Sequence, residues 1–118
     1  MVLTRIMLVL GALLAAHPAF SHAFLDRSSP SAGAELRAPP SVVRITFTEA
    51  VEPHFSTIEV RDSEGGRVDA ANPHADRAAK SLAVDLLKLP PGKYTVIWHA
   101  TSVDTHKTEG KFTFSVLP

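Results

Sequence analysis

The chain contains no cysteine, and its two methionines, Met1 and Met7, both lie among the first ten residues. An exported protein without cysteine cannot use disulfides, so its stability has to come from packing and backbone pairing. The lack of sulfur beyond Met7 also excludes zinc–thiolate sites and thioether sites for Cu(I). Any metal site in the rest of the chain must therefore be built from nitrogen and oxygen donors.

The sequence also lacks an excess of either charge, with 12 Lys and Arg side chains against 12 Asp and Glu. The sequence has no basic stripe of the kind that binds nucleic acid or an anionic membrane surface. Beyond one apolar run at the start, no run is long enough for a membrane anchor. We therefore expect a monomer with no nucleic-acid partner and no membrane anchor after processing.

The start of the chain is typical of a secretory signal peptide. Arg5 precedes an apolar run over residues 6–16, which is well below the roughly 20 residues that a membrane-spanning helix needs. Ala19 and Ser21 are the small residues that a signal peptidase requires, so we predict cleavage between Ser21 and His22. Cleavage two residues later is the alternative, and it would remove His22.

This processing divides the chain into a signal peptide over residues 1–21 and an exported domain over residues 22–118. The domain keeps 97 of the 118 residues, which is the size of one small domain with a modest core.

The domain consists of short segments in which apolar and polar residues alternate, separated by glycine and proline turns. No segment has a helical period, and residues 72–80 are predicted to form a loop. We predict an all-β fold, an antiparallel Greek-key sandwich or barrel of the immunoglobulin-like type. Residues 94–100 are expected to be buried on both faces, with His99 as an ordinary strand histidine. The predicted strands cover residues 43–47, 57–61, 82–86, 94–100 and 112–116.

A carboxylate and an imidazole lie two residues apart, at Asp104 and His106, between the last two predicted strands. In an extended segment such residues point the same way, so both side chains would lie on one face. The end of a strand is a common place for functional groups on a sheet scaffold. Taken alone, the pair is weak evidence for a site, and a solvated turn is the better interpretation of it.

His22 gives the pair a chemical meaning, because a histidine at a free amino terminus can bind a metal through its α-amine and its ring Nδ1. The α-amine has a reference pKa of about 7.7–8.0, so a metal can displace its proton near neutral pH. Together with Asp104 and His106, the set comprises an amine, two imidazoles and a carboxylate. These donors suit a single Cu(II) ion.

Several stretches of the chain resemble the CopC family of copper-resistance and copper-trafficking domains. The resemblance implies a periplasmic or exported Cu(II)-binding β-sandwich that is not an enzyme and that exchanges copper with an inner-membrane transport protein of the CopD type. The chain lacks the methionine-rich Cu(I) loop of some members, so it is similar to those that bind Cu(II) alone. The matching stretches are residues 22–25, 29–33, 45–51 and 91–98 and the motif Ser102-x-Asp104-x-His106-x-x-x-Gly110.

The resemblance also implies roles for individual residues. His22, Asp104 and His106 occupy the family's Cu(II)-ligand positions. Glu49 lies where members have an acidic residue near the site, as a supporting group or weak axial ligand, or else as an exposed glutamate at a strand end. Ser102 is expected to hold the turn or to orient Asp104 by a hydrogen bond.

Two other functions stay open at this point. The first is a small copper-dependent oxidase or monooxygenase-like protein, although so short a domain leaves little room for a substrate face. The second is a metal-free adhesive sandwich, which would have no need for His22 at the amino terminus.

Overall fold

The computed structural model describes residues 23–76, 78 and 80–118, which form two packed four-stranded β-sheets. The strand order is β1-β3-β6-β5 in one sheet and β2-β8-β7-β4 in the other. The prediction of an all-β sandwich is confirmed, and the described helical structure is a single 3₁₀ turn at Pro53–Phe55. The strands are β1 (Leu25–Ser29), β2 (Glu35–Leu36), β3 (Val42–Phe47), β4 (Thr57–Arg61), β5 (His74–Asp76), β6 (Ser81–Asp85), β7 (Gly92–Thr101) and β8 (Lys107–Val116).

Strand pairing is antiparallel throughout the described sheets except where the short β2 runs parallel to β8. The longest pairing joins β7 and β8, which match residue for residue from Gly92 opposite Val116 to Thr101 opposite Lys107. This hairpin therefore extends the full length of its sheet. Over the described ranges, none of the helical structure has the length and apolarity to cross a membrane.

The strand β7 has one buried face rather than two. Tyr94, Val96, Trp98 and Ala100 point into the core and are at most 5% exposed, whereas His99 on the other face is exposed. The expectation that both faces are buried was wrong, because the second sheet packs against the first sheet with its inner face only. Its outer face is open to solvent, as is common for antiparallel sheets.

Three strands did not emerge from the apolar pattern. The segment predicted as a loop contains β5, which pairs with β6 at the edge of the first sheet. The strands β1 and β2 are also edge strands. All three are short and largely polar, so alternation gives little sign of them.

Trp98 fixes the spacing between the two sheets and between β7 and β8. Its ring meets the ring of Phe47 edge-on at a centroid distance of 5.3 Å, a favourable arrangement for two aromatic rings. Gly110 lies directly opposite Trp98 on β8. A Cβ atom at position 110 would lie 2.7 Å from the indole ring, so only glycine leaves room for it.

We predict that Gly110→Ala destabilises the domain by about 1–3 kcal/mol, because the added methyl group displaces the Trp98 ring from its packing. Urea denaturation followed by tryptophan fluorescence measures the change. The exposed neighbour Lys111 provides the control, since Lys111→Ala should change stability by less than about 0.5 kcal/mol. Equal stability of the Gly110→Ala protein and the wild type would contradict this packing role.

A buried carboxylate, Asp69, holds the chain where it crosses from β4 to the other sheet. Its side chain is 0% exposed and accepts hydrogen bonds from the backbone N–H groups of Val60 and Ala71, both at 2.8 Å. The Arg67 guanidinium donates to both carboxylate oxygens at 3.0 Å. Burial alone would raise the pKa of Asp69, but the bonds from Arg67, Val60 and Ala71 outweigh burial and lower it.

We predict that Asp69→Asn costs about 1–3 kcal/mol at pH 7, because an amide keeps only one acceptor oxygen for the backbone N–H groups of Val60 and Ala71. Since the pKa of Asp69 is lower in the folded protein, its stabilisation is complete above about pH 4 and is lost as the pH falls further. Urea denaturation should therefore show that the difference in free energy of unfolding between wild type and variant becomes smaller from pH 7 to pH 3. Asp26→Asn, at an exposed position on β1, is the control, and a difference that is absent at pH 7 would refute the assignment.

Candidate metal centre

The candidate site lies in the tight loop that joins β7 to β8. The backbone N–H of Ser102 donates to the carbonyl of His106, and that of Thr105 donates to the carbonyl of Ser102, both at 2.9 Å. Residues 103–105 thus form a three-residue hairpin loop. Thr105 closes it with a positive φ of 72°, the left-handed conformation that such loops require.

This loop brings Asp104 and His106 together. The Oδ2 atom of Asp104 lies 3.2 Å from Nδ1 of His106, and both side chains are a little over 40% exposed. The expected proximity is therefore present, but its cause differs from the expected one. The segment is not extended, and the two side chains meet because the left-handed Thr105 between them turns the backbone.

Ser102 supports the carboxylate from below. It is buried, and its hydroxyl donates a short hydrogen bond to Oδ1 of Asp104. This bond is the main reason that the pKa of Asp104 is lowered, and the contacts with His106 lower it further. Asp104 is therefore an anion across the neutral pH range, as a metal ligand has to be.

The segment after β3 holds the loop from the side. The carbonyl of Ala50 accepts a hydrogen bond from Val103 at 3.2 Å, and Glu52 donates to Thr101 at 2.8 Å. Between these bonds, Val51 forms an isolated bridge with Ser102. Residues 50–52 thus run beside the base of the hairpin loop.

The start of the described chain reaches the same end of the sandwich. Ala23 is 0% exposed, and its carbonyl accepts a short hydrogen bond from the hydroxyl of Thr108. Phe24 exchanges two bonds with Thr48, one from Thr48 N–H to the Phe24 carbonyl at 2.8 Å and one from Phe24 N–H to Thr48 Oγ1 at 3.0 Å. The chain therefore enters β1 between the end of β3 and the start of β8.

The structure brings together some of the predicted site residues but not all of them. Asp104, His106 and Ser102 lie in one hydrogen-bonded group. Glu49 is half-buried on the neighbouring segment, and within the described ranges no three His, Asp or Glu side chains form a metal-binding group. The predicted cleavage site, Ser21 and His22, and the predicted signal peptide lie outside the described residues, so the ligand role of His22 stays a prediction.

Sequence reasoning missed Thr48 and Thr108. Each is an ordinary strand-end threonine in the sequence. Only the fold shows that their hydroxyls bond to residues 23 and 24, which we call the amino-terminal arm. The single available signal was that Thr108 follows His106 by two residues.

Two exposed histidines elsewhere, His74 and His99, form separate pairs with carboxylates. His99 Nε2 lies 3.0 Å from Oε2 of Glu109 on the outer face of the second sheet. His74 Nε2 lies 3.9 Å from Oδ1 of Asp85 at the edge of the first sheet. The pair of His99 and Glu109 lies on the solvent face of β7 and β8, opposite the face that carries Ala100 and its partner Thr108.

We predict that Ser102→Ala raises the pKa of Asp104 toward the ordinary value for aspartate, because the hydroxyl that favours the carboxylate is lost. A carbon-13 NMR titration of the metal-free protein measures this pKa directly. Thr113→Ala, which removes a hydroxyl from β8 away from the loop, should leave it unaltered. An unchanged pKa in the Ser102→Ala protein would contradict the supporting role of Ser102.

Several known proteins are similar to this chain, and three of them are compared with it below. Protein YobA of Escherichia coli K12 is 37% identical over 99 residues, which cover 82% of this chain and 80% of YobA. The copper transport protein CutJ of Bacillus subtilis is 36% identical over 99 residues, which cover 82% of this chain but only 18% of CutJ. The crystal structure of CopC from Methylosinus trichosporium OB3b has a TM-score of 0.77 and 36% identity, covering 82% of this chain and 95% of that one.

Residues 25–117 match the CopC domain family. The chain therefore belongs to the CopC family of copper-resistance and copper-trafficking proteins, which are not enzymes. The resemblance seen in the sequence is thereby confirmed over almost all of the described structure. Neither the enzymatic nor the adhesive alternative has support from these comparisons.

Proposed function

We propose that the chain is an exported periplasmic carrier that holds one Cu(II) ion between His22 at its amino terminus and the pair Asp104 and His106. The observation that carries the proposal is the position of Ala23, which is bonded to Thr108 two residues beyond His106. Consecutive Cα atoms are only about 3.8 Å apart. The short chain distance between position 22 and this bond supports His22 as a ligand.

The chemistry of the pair supports a metal-ligand role. Because Nδ1 of His106 faces the carboxylate of Asp104, a neutral ring has its proton on Nδ1 and its lone pair on Nε2. A carboxylate has about four acceptor positions, so Asp104 keeps lone pairs for a metal after accepting from Ser102 and His106. The pair thus offers one imidazole nitrogen and one carboxylate oxygen.

His22 would complete the set with an α-amine and a second imidazole once the signal peptide is removed. Three nitrogens and one oxygen suit Cu(II), which is the most tightly bound divalent ion of the first transition row. The chain beyond Met7 has no sulfur, so nothing there favours Cu(I). A site with four protein donors favours retention of the ion, as expected for a carrier in copper resistance or delivery.

Delivery to a CopD-type transport protein of the inner membrane is supported by the surface around the loop. Val103 in the loop is 50% exposed, and Phe24 and Phe55 on the flanking segments are also exposed. Apolar side chains clustered at one end of a small protein are typical of a docking surface. A matching region also forms part of the longer copper transport protein CutJ.

The test is Cu(II) affinity, measured by competition with a chromophoric chelator on the exported protein after mass spectrometry has located its first residue. We expect the mature chain to begin at His22. His22→Ala and His106→Ala should each weaken binding by at least the roughly 10- to 100-fold typical of losing a supporting partner of a metal ligand. One added glycine ahead of His22 should also weaken binding, because it ties the α-amine into a peptide bond.

His99→Ala is the matched control, since His99 is an exposed histidine that pairs with Glu109 on the outer face of the sheet. Its affinity for Cu(II) should equal that of the wild type. Unchanged affinity in both His22→Ala and His106→Ala would disprove the proposed site.

A further inference from the structure

Two threonine hydroxyls hold the amino-terminal arm, and their hydrogen bonds are not part of the backbone pairing between strands. One is the hydroxyl of Thr108, which donates to the carbonyl of Ala23 from 85 positions further along the chain. The other is the hydroxyl of Thr48, which accepts from the N–H of Phe24 at 3.0 Å. Only the bond from Thr48 N–H to the Phe24 carbonyl continues the β1–β3 ladder.

Thr108 connects the arm directly to the element that carries His106. It is the second residue of β8 and lies opposite Ala100 on β7. Ala100 faces the core, and cross-strand partners share a face of the sheet. Thr108 therefore points inward, toward the arm, from a position two residues after His106.

The arm is tightly placed at the point where it meets Thr108, since Ala23 is 0% exposed. Burial of a carbonyl needs a hydrogen-bond partner, and the Thr108 hydroxyl supplies one. With its side chain buried and its carbonyl bonded to Thr108, Ala23 has little backbone freedom.

We propose that Thr108 and Thr48 are positioning residues that clamp the arm and so hold the amino-terminal Cu(II) donors beside Asp104 and His106. The inference rests on the proposed copper function. A chain end that is already ordered loses less conformational entropy when it binds a ligand, so the clamp raises affinity without touching the ion. Neither threonine is a metal ligand.

The test compares Thr108→Val, which removes the hydroxyl but keeps the shape, with Thr108→Ser, which keeps the hydroxyl. Thr108→Val should bind Cu(II) about 5- to 30-fold more weakly, the factor expected when one or two residues must be ordered on binding. Thr108→Ser should bind like the wild type. Thr113→Val, on the same strand and away from the arm, is the control and should also match the wild type.

A second set of measurements distinguishes the clamp from a merely structural role of Thr108. It places Thr108→Val in a background protein in which position 22 is alanine and one glycine is added ahead of it. This background has no imidazole at position 22, and its α-amine is displaced by one residue, so Thr108→Val should weaken its residual Cu(II) binding by less than about twofold. An equal loss in both backgrounds would mean that Thr108 acts on the hairpin loop alone, and would overturn the proposal.

Wild-type Cu(II) affinity in the Thr108→Val protein would likewise overturn the clamp. If His22→Ala still weakened Cu(II) binding in that case, the proposed copper site would stand without the clamp. Failure of both His22→Ala and His106→Ala to weaken binding would instead remove the proposed function. If Thr108→Val does not fold, Thr48→Val serves in its place, because it removes only the bond to the Phe24 N–H. It should weaken binding in the same direction, and wild-type affinity there would refute the clamp.

Discussion

The docking of residues 23 and 24 against the start of β8 is the contact on which the account depends. Thr108 reaches Ala23 across almost the whole length of the domain sequence. Sheet pairing alone would leave this arm at the open edge of the first sheet. The bonds to Thr48 and Thr108 bring it to the end of the sandwich where the loop between β7 and β8 presents Asp104 and His106.

The rest of the site follows from how that loop is built. Ser102 is buried beneath it and keeps Asp104 ionised, and Asp104 in turn orients the ring of His106 through Nδ1. The rigid β7–β8 hairpin below carries the core residue Trp98, which packs over Gly110. A stable hairpin thus supports a loop whose donors are nitrogen and oxygen, the chemistry that a copper carrier without sulfur requires.

Sequence reasoning found the parts of this molecule that have one strongly apolar face. The alternation in β3, β4, β7 and β8 reflects burial of alternate side chains, so these strands were predictable. In β6 four consecutive residues are buried, but its large apolar side chains still alternate at Leu82 and Val84. The polar edge strand β1 was missed, although it leads directly from the arm, because its sequence has little apolar periodicity. The contact between Asp104 and His106 was expected, but its basis in the positive φ of Thr105 was not. Thr108 was missed because hydrogen bonds between distant segments leave no local pattern.

Nuclear magnetic resonance of the mature protein with one equivalent of Cu(II) tests the central claim most directly, since the unpaired electron broadens amide signals near the ion. The account predicts that the signals of residues 23–24, 48–49 and 102–108 disappear together. Signals at the opposite end of the sandwich, such as those of Gly92 and Val116, should stay sharp. Broadening centred on His74 or His99, with the signals of Ala23 and His106 unaffected, would contradict it.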